Sequence, residues 1–177
     1  MTSTLTLTRP APASSARLDF EALYRAARDD VFAYVCTFLH DRSAAEDVTA
    51  LAFERAYRKH RSFDSGRGSG RAWVFGIARN AALDELRRRK RQAALAADPE
   101  DVDAARVDEQ AEALLDRAAL RAALAKLPAR DRELIALKFH AGLDNAELAQ
   151  VLGVSRSNAG TQLHRAMTKL REAIDAR

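Results

Sequence analysis

Apolar residues recur along this chain at helical spacing, in runs separated by short polar breaks, and no stretch alternates as a strand would. Phe20, Leu23, Tyr24, Ala27, Val31, Val35 and Phe38 mark a first amphipathic helix, about Leu18 to Leu39. Ser43 and Glu46 stand in capping-box spacing and open a second, running to about Lys59, with Val48, Leu51, Ala52 and Ala56 toward a core. Arg61 to Gly70 holds Asp64, Ser65 and three glycines, which predicts a mobile loop. A third helix starts near Arg71. Its first half, Ala72 to Ala78, is apolar almost all round and implies deep burial, whereas its second half ends in Arg87, Arg88, Arg89, Lys90 and Arg91.

Gln92 to Val107 turns Ala-rich and then acidic, with Asp98, Glu100, Asp101 and Asp103 around the helix-interrupting Pro99, so it reads as a linker. Beyond it, Leu114, Leu115, Leu120 and Leu124 mark a helix over about Asp108 to Lys126. Pro128 starts the next, which Ala141 and Gly142 end. Asp144 and Glu147 form a second capping box for a short helix that stops at Gly153, and Ser155 caps the last one. On that last helix Val154, Leu163, Met167, Leu170 and Ile174 share a buried face, while Asn158, Thr161, Arg165 and Lys169 share the other. Two helices joined by a tight turn, the second with a polar stripe, form the pattern of a helix-turn-helix, whose second helix enters the major groove of DNA.

Composition agrees with an all-α protein able to build one medium core or two small ones, and the acidic segment divides it into two small helical domains joined by a flexible linker. The 177 residues are 47% hydrophobic and 6% aromatic, with 7 Gly and 4 Pro. A formal charge of +4 permits a polyanionic partner. Cys36 is the only cysteine, which excludes an internal disulfide and a cysteine-built zinc site, and its apolar surroundings suggest a buried thiol. The Thr-, Ala-, Ser- and Pro-rich start, residues 1–16, reads as a disordered tail without the basic head and apolar core of a secretory signal. No run approaches the roughly 20 apolar residues that span a membrane, so a cytoplasmic location is expected. His40, His60, His140 and His164 are scattered without metal-ligand spacing, and no phosphate-binding glycine fingerprint occurs, so no enzyme, metal or cofactor is expected.

Four strings in order carry a resemblance: AEDVTALAFERAYR (Ala45 to Arg58), RAWVFGIARNAALDELRRRKR (Arg71 to Arg91), LPARDRELIAL (Leu127 to Leu137) and ELAQVLGVS with LHRAMTKLRE (Glu147 to Ser155, Leu163 to Glu172). Together the two blocks resemble regions 2 and 4 of the extracytoplasmic-function, or group IV, sigma factors, the dissociable subunits that give bacterial RNA polymerase its promoter choice. The resemblance divides the chain into a tail (1–16), region 2 (17–92), an acidic linker (93–107) and region 4 (108–177). It implies binding to core polymerase through the clamp helices of the largest subunit and the flap of the second-largest, binding to promoter DNA, and control by an anti-sigma protein. The linker reads either as a solvated tether or, following the family, as a segment that threads the polymerase cleft.

What the resemblance implies for single residues follows the motifs. Polymerase binding falls on Glu46, Asp47, Ala50, Leu51, Glu54, Arg55 and Arg58, with Ala50 and Leu51 standing where the family often has Gln and Glu. Minus-ten recognition and melting fall on Ser62, Phe63, Asp64, Trp73, Arg79, Asn80, Asp84, Arg87, Arg88 and Arg91. Melting needs a pocket for an extruded base and cations for the separated strand, and for Trp73 a core position competes with base stacking. Minus-thirty-five recognition falls on Ser155, Arg156, Ser157, Asn158, Thr161, Gln162, Arg165 and Lys169. Gly160 and Gln162 replace the family's frequent Lys and Arg, which predicts a weaker upstream contact with a preference for adenine through Asn158 and Gln162.

Two other readings remain open: a helix-turn-helix regulator that binds a palindrome as a dimer without polymerase, and a sigma-like protein with reduced promoter activity. The free chain is expected to bind DNA poorly, because a flexible tether does not fix the separation of its two readers.

Overall fold

A computed structural model of the chain describes residues 18–95 and 111–176, with side chains in the second stretch from 119 onward. The expected tail and most of the expected linker lie outside the described residues. Among those described there are seven α-helices and no strand: α1 (Phe20–Leu39), α2 (Arg42–Lys59), α3 (Gly70–Leu95), α4 (Ala111–Lys126), α5 (Ala129–Phe139), α6 (Asn145–Leu152) and α7 (Arg156–Asp175).

Local chemistry sets most of these ends. Asp19 caps α1 by accepting from the Ala22 N–H at 3.0 Å. The cap of α2 differs from the expected Ser43–Glu46 box. Asp41 fills that role, accepting from the Ala44 N–H at 3.1 Å, and Glu46 pairs instead with Arg42 at 3.2 Å. Asp caps as well as Ser, and its carboxylate here gains a second partner, Arg89 of α3, at 2.9 Å. The loop before α3 is organised by 3₁₀ turns at His60–Ser62 and Ser65–Arg67, the latter closed by the Gly66 N–H donating to Asp64. Helix α3 continues through the basic run to Leu95, past the expected boundary at 92.

The capping box of α6 is present in full, and Gly153 ends the helix at φ 68°, where a side chain would be strained. Ser155 then caps α7 by accepting from the Asn158 N–H at 3.2 Å.

Helices α1, α2 and α3 pack around Val31, Tyr34, Val35, Val74 and Phe75, all fully buried. The same cluster continues into Leu137, Leu143 and Leu148 of the second half, because α1 packs on α5 and α3 on α6. A smaller cluster of Ala123, Leu127, Ile135, Ala166 and Leu170 joins α4, α5 and α7. The two blocks therefore dock through a shared core instead of hanging on a tether alone. This also accounts for the all-round apolar start of α3, which is covered from both sides.

Candidate nucleic-acid interface

Helix α7 presents the expected stripe to solvent. Arg156, Ser157, Asn158, Thr161, Arg165 and Lys169 are all exposed, opposite the buried Ala159, Ala166 and Leu170. Arg156 and Arg165 have no carboxylate within 4.0 Å among the described residues, whereas Lys169 bonds Asp131 at 2.6 Å. Thr161 is tied to the Ser157 carbonyl at 3.0 Å. Gln162 lies half-buried, its amide N–H donating to Asn158 Oδ1 at 2.7 Å while its oxygen is buried without a partner. The two amides proposed to read adenine thus hold each other, an i,i+4 pairing that their spacing already encodes. Gly160 lets α6 come close, since a Cβ there would lie 3.2 Å from the Asn145 amide nitrogen.

In the first half, Ser62 and Asp64 are exposed on the loop, and the Phe63 ring lies 5.4 Å from that of Trp73 at 56°. Trp73 is half-buried and packs against the core with one side, so a core contact and a contact with Phe63 coexist on it. Farther along α3, Asn80 is exposed and Asp84 pairs with Arg87 at 3.1 Å and Arg55 at 3.7 Å. Arg88 and Arg89 share Glu85, and these two guanidinium groups, Arg88 foremost, hold the Glu85 carboxyl down at about 2 against the cost of its burial. Arg91 is exposed with no carboxylate within 4.0 Å among the described residues. Arg89 ties α3 to Asp41 and to the last carbonyl of α1.

Arg79 is placed differently from its neighbours. It forms an ion pair with Glu133 of α5, whose side chain is only 9% exposed, beside the buried Tyr34 hydroxyl, which has no hydrogen-bond partner. Burial, then the Glu133 charge, pushes the Tyr34 phenol well above its ordinary range. Arg71 spans the same junction, donating to the carbonyls of Ala141 (2.5 Å), His140 (2.8 Å) and Ala26 (3.1 Å) and to Asp30 (2.5 Å). Ser69 caps α3 by accepting from the Ala72 N–H and donates its own proton to Glu147 of α6. At Gly68, with φ 142°, a Cβ would sit 2.6 Å from the Gln150 side-chain oxygen. The far end of the loop is thus covered by α6. Sequence spacing gave no signal for these contacts, since Arg79 and Glu133 stand 54 positions apart.

On α2, Ala50 and Leu51 are both exposed, and Leu51 with Asp47 lines a shallow groove shared with Asp41, Ser43, Arg88 and Arg89. Glu46, Glu54, Arg55 and Arg58 all carry intramolecular partners, the Arg58–Glu54 pair at 2.5 Å. Among the described residues no cluster of His, Cys, Asp or Glu suits a metal, and no helix is long and apolar enough to cross a membrane.

A three-helix block with an ordered loop before its basic helix, followed by a helix-turn-helix block, defines the sigma-70 class of transcription factors. Residues 23–92 match the family model of Sigma-70 region 2 and residues 117–170 that of Sigma-70, region 4. Over 155 residues the chain is 30% identical to the ECF RNA polymerase sigma factor SigL of Mycobacterium tuberculosis, covering 85% of this chain and 88% of SigL. It is also 30% identical to the ECF RNA polymerase sigma factor RpoE of Cereibacter sphaeroides, covering 89% and 96%. Its fold is similar to that of the sigma factor RpoE bound to the anti-sigma factor NepR from Bartonella quintana, with a TM-score of 0.72 at 24% identity, covering 89% and 97%. CnrH in complex with the cytosolic domain of CnrY gives 0.64 at 26%, covering 89% and 88%. The chain belongs to the extracytoplasmic-function sigma factors of bacterial RNA polymerase.

Proposed function

We propose that this sigma factor binds core polymerase through α2, melts the minus-ten element with the loop 62–70 and α3, and reads the minus-thirty-five element with α7. The observation that carries this reading is the exposed α7 stripe, capped by Ser155 and presented on the same chain as the Phe63–Trp73 pair. The clamp helices of the largest subunit would meet Glu46, Asp47, Ala50, Leu51, Glu54, Arg55 and Arg58, and the flap of the second-largest would meet region 4. Leu51, 37% exposed beside Asp47, gives the α2 contact an apolar element where the family often has a carboxylate.

The extruded base would lodge between Ser62, Phe63, Asp64 and Trp73, with Asn80 and Asp84 toward base edges and Arg87, Arg88 and Arg91 toward phosphates. Arg79 joins them only after leaving Glu133. Division into a tail (1–16), region 2 (17–92), a linker (93–107) and region 4 (108–177) fits this scheme, as do a cytoplasmic location and the absence of a catalytic group of its own.

The docked arrangement is the resting form in this reading. Glu133 and Glu147 bind first-half groups that promoter DNA would otherwise meet, so polymerase must both separate the halves and hold them at promoter spacing. The sigma factor RpoE of similar fold is bound to the anti-sigma factor NepR, and in this reading an anti-sigma protein controls this chain too and would act by holding the closed form. Run-off transcription with purified core polymerase on a promoter library tests the function. Sequence-dependent transcripts are expected. Binding to a palindrome without polymerase, together with no transcript on any template, would favour the dimeric regulator.

A further inference from the structure

We propose that Tyr57 and His60 form a second stacking platform, for an unpaired nucleotide next to the one held by the loop 62–70. The assignment of the ligand to promoter DNA rests on the function proposed above. The two rings lie 5.2 Å apart at 20°, a stacked pair, and Tyr57 is 60% exposed at the end of α2. Phe20 of α1 backs Tyr57 edge-on at 5.3 Å and lies tilted against His60 at 6.2 Å, and is itself braced by Phe53 at 6.4 Å. His60 is oriented by Nδ1–H donating to the Tyr57 carbonyl at 2.5 Å. A surface aromatic held from behind and from the side loses little freedom when a base stacks on it.

Charge and continuity choose the occupant. Lys59 and Arg61 flank the stack, are exposed, and have no carboxylate within 4.0 Å among the described residues, whereas Arg58 is engaged by Glu54 at 2.5 Å. Aromatic faces between unneutralised cations suit a single strand, because only unpaired bases offer a π-face while their phosphates stay at the rim. The 3₁₀ turn that begins at His60 ends at Ser62, directly before Phe63 of the proposed pocket. The platform therefore adjoins that pocket along the chain. It also lies apart from the contacts of Gly68, Ser69 and Arg71 with the second half, and so stays open in the docked chain.

The test uses the full chain without polymerase and a short single-stranded DNA carrying 2-aminopurine, whose fluorescence falls on stacking. Wild-type chain should bind and quench it at low salt. Tyr57→Ala and His60→Ala should each weaken binding about tenfold and lose most of the quenching, while Tyr57→Phe should keep both. Arg61→Gln should weaken binding and flatten its salt dependence, yet leave the quenching of the bound strand intact.

Absence of binding by the wild type, or quenching by Tyr57→Ala equal to wild type, would overturn the platform. So would a duplex of the same sequence that competes equally well. Should Tyr57→Ala lower helix content, His60→Ala and Tyr57→Phe carry the comparison. Strand quenching that depends on Tyr57, alongside failure of run-off transcription, would keep the platform and reject the promoter reading. The reverse outcome would do the opposite.

Discussion

Helices α3 and α7 both carry a row of cations, and they differ in what those cations touch. On α7, Arg156 and Arg165 point into solvent with no carboxylate nearby among the described residues. On α3, Arg71 and Arg79 are engaged by the second half, and Arg87, Arg88 and Arg89 by acids of the first. Open cations attract a polyanion at once, whereas paired ones must first exchange a carboxylate for a phosphate. The proposed upstream reader therefore keeps Arg156 and Arg165 open in the free chain, whereas on the proposed melting element Arg91 alone of the named arginines is open among the described residues. That asymmetry suits a protein that must avoid opening DNA before polymerase has engaged it.

Breaking the Arg79–Glu133 pair should disturb this contrast most. Glu133→Gln leaves Arg79, 22% exposed, without its counter-charge, and loss of one partner from a largely buried pair costs about 3 kcal/mol. A wider scattering radius and stronger binding of minus-ten single strand by the free chain are expected. Replacing both residues by Leu should restore much of the docking, because two apolar groups leave no charge stranded. An unchanged radius and unchanged strand affinity in Glu133→Gln would mean that the halves do not guard the melting element.

A smaller effect is expected on the open face. Arg165→Ala should weaken upstream promoter binding in the polymerase complex by about 1 kcal/mol and lower the salt slope by about one. The Glu133 variant should leave that slope alone. If Arg165→Ala were silent while Asn158→Ala altered base preference, base-edge contacts rather than phosphates would dominate on α7.

Proton uptake separates the two regions more gently. Burial lowers the His140 imidazole below its usual range, with Asp30 across the junction opposing in part, and Arg71 holds the His140 carbonyl. His40, near the other end of the α1–α5 contact, is lowered by burial and then by Arg132. The unfolded or undocked imidazole binds a proton more readily than the docked one, so docking is strongest above about pH 6.5 and weakens as pH falls through the lowered values. Glu85 behaves differently. Its carboxyl is held at about 2, so its contribution to the first half persists until pH falls below the ordinary glutamate range, about 4.3. Mild acid should thus loosen the junction before it unfolds α3, and His140→Gln should remove most of the shift in radius between pH 7 and 5.5.

How far the sequence reveals such features depends on their range along the chain. Caps at Asp144, Gly153 and Ser155 follow from neighbours within one turn, and the structure shows them as read. At α2 the cap moved from Ser43 to Asp41 because two good capping residues stood a turn-fraction apart, and the deciding partner, Arg89, is distant in sequence. The apolar stripe of α7 was legible in part: Leu170 is buried and Val154, Leu163 and Met167 are half-buried as expected, but Ile174 at the helix end is 40% exposed and the deepest positions are the small Ala159 and Ala166. Engagement of Arg79, Arg71 and Ser69 was not legible, because the acceptors lie on helices whose docking depends on the shared core. The stack of Tyr57 on His60 was within reach: Phe20 and Tyr24 on α1, like Phe53 and Tyr57 on α2, repeat an aromatic at i,i+4, more than a single core position needs.

The smallest change tests how α7 is fixed in its open pose. Gly160 costs helix stability of about 1 kcal/mol relative to Ala, and it is kept at a point where an added methyl would meet the Asn145 amide nitrogen at 3.2 Å. Asn145 is exposed and its side chain has no hydrogen-bond partner among the described residues, so it can turn aside by the few tenths of an ångström required. Gly160→Ala should therefore raise stability by about 0.5 kcal/mol, part of the helix-propensity gain being spent on moving Asn145. Upstream binding should stay the same, since the stripe of Arg156, Asn158 and Arg165 is displaced little. Chemical denaturation of the two proteins, followed by helix content, decides the sign. A loss of stability would show that the close approach of α6 and α7, rather than the ease with which Asn145 moves, governs this position, and the recognition helix would then be held more tightly than its open surface suggests.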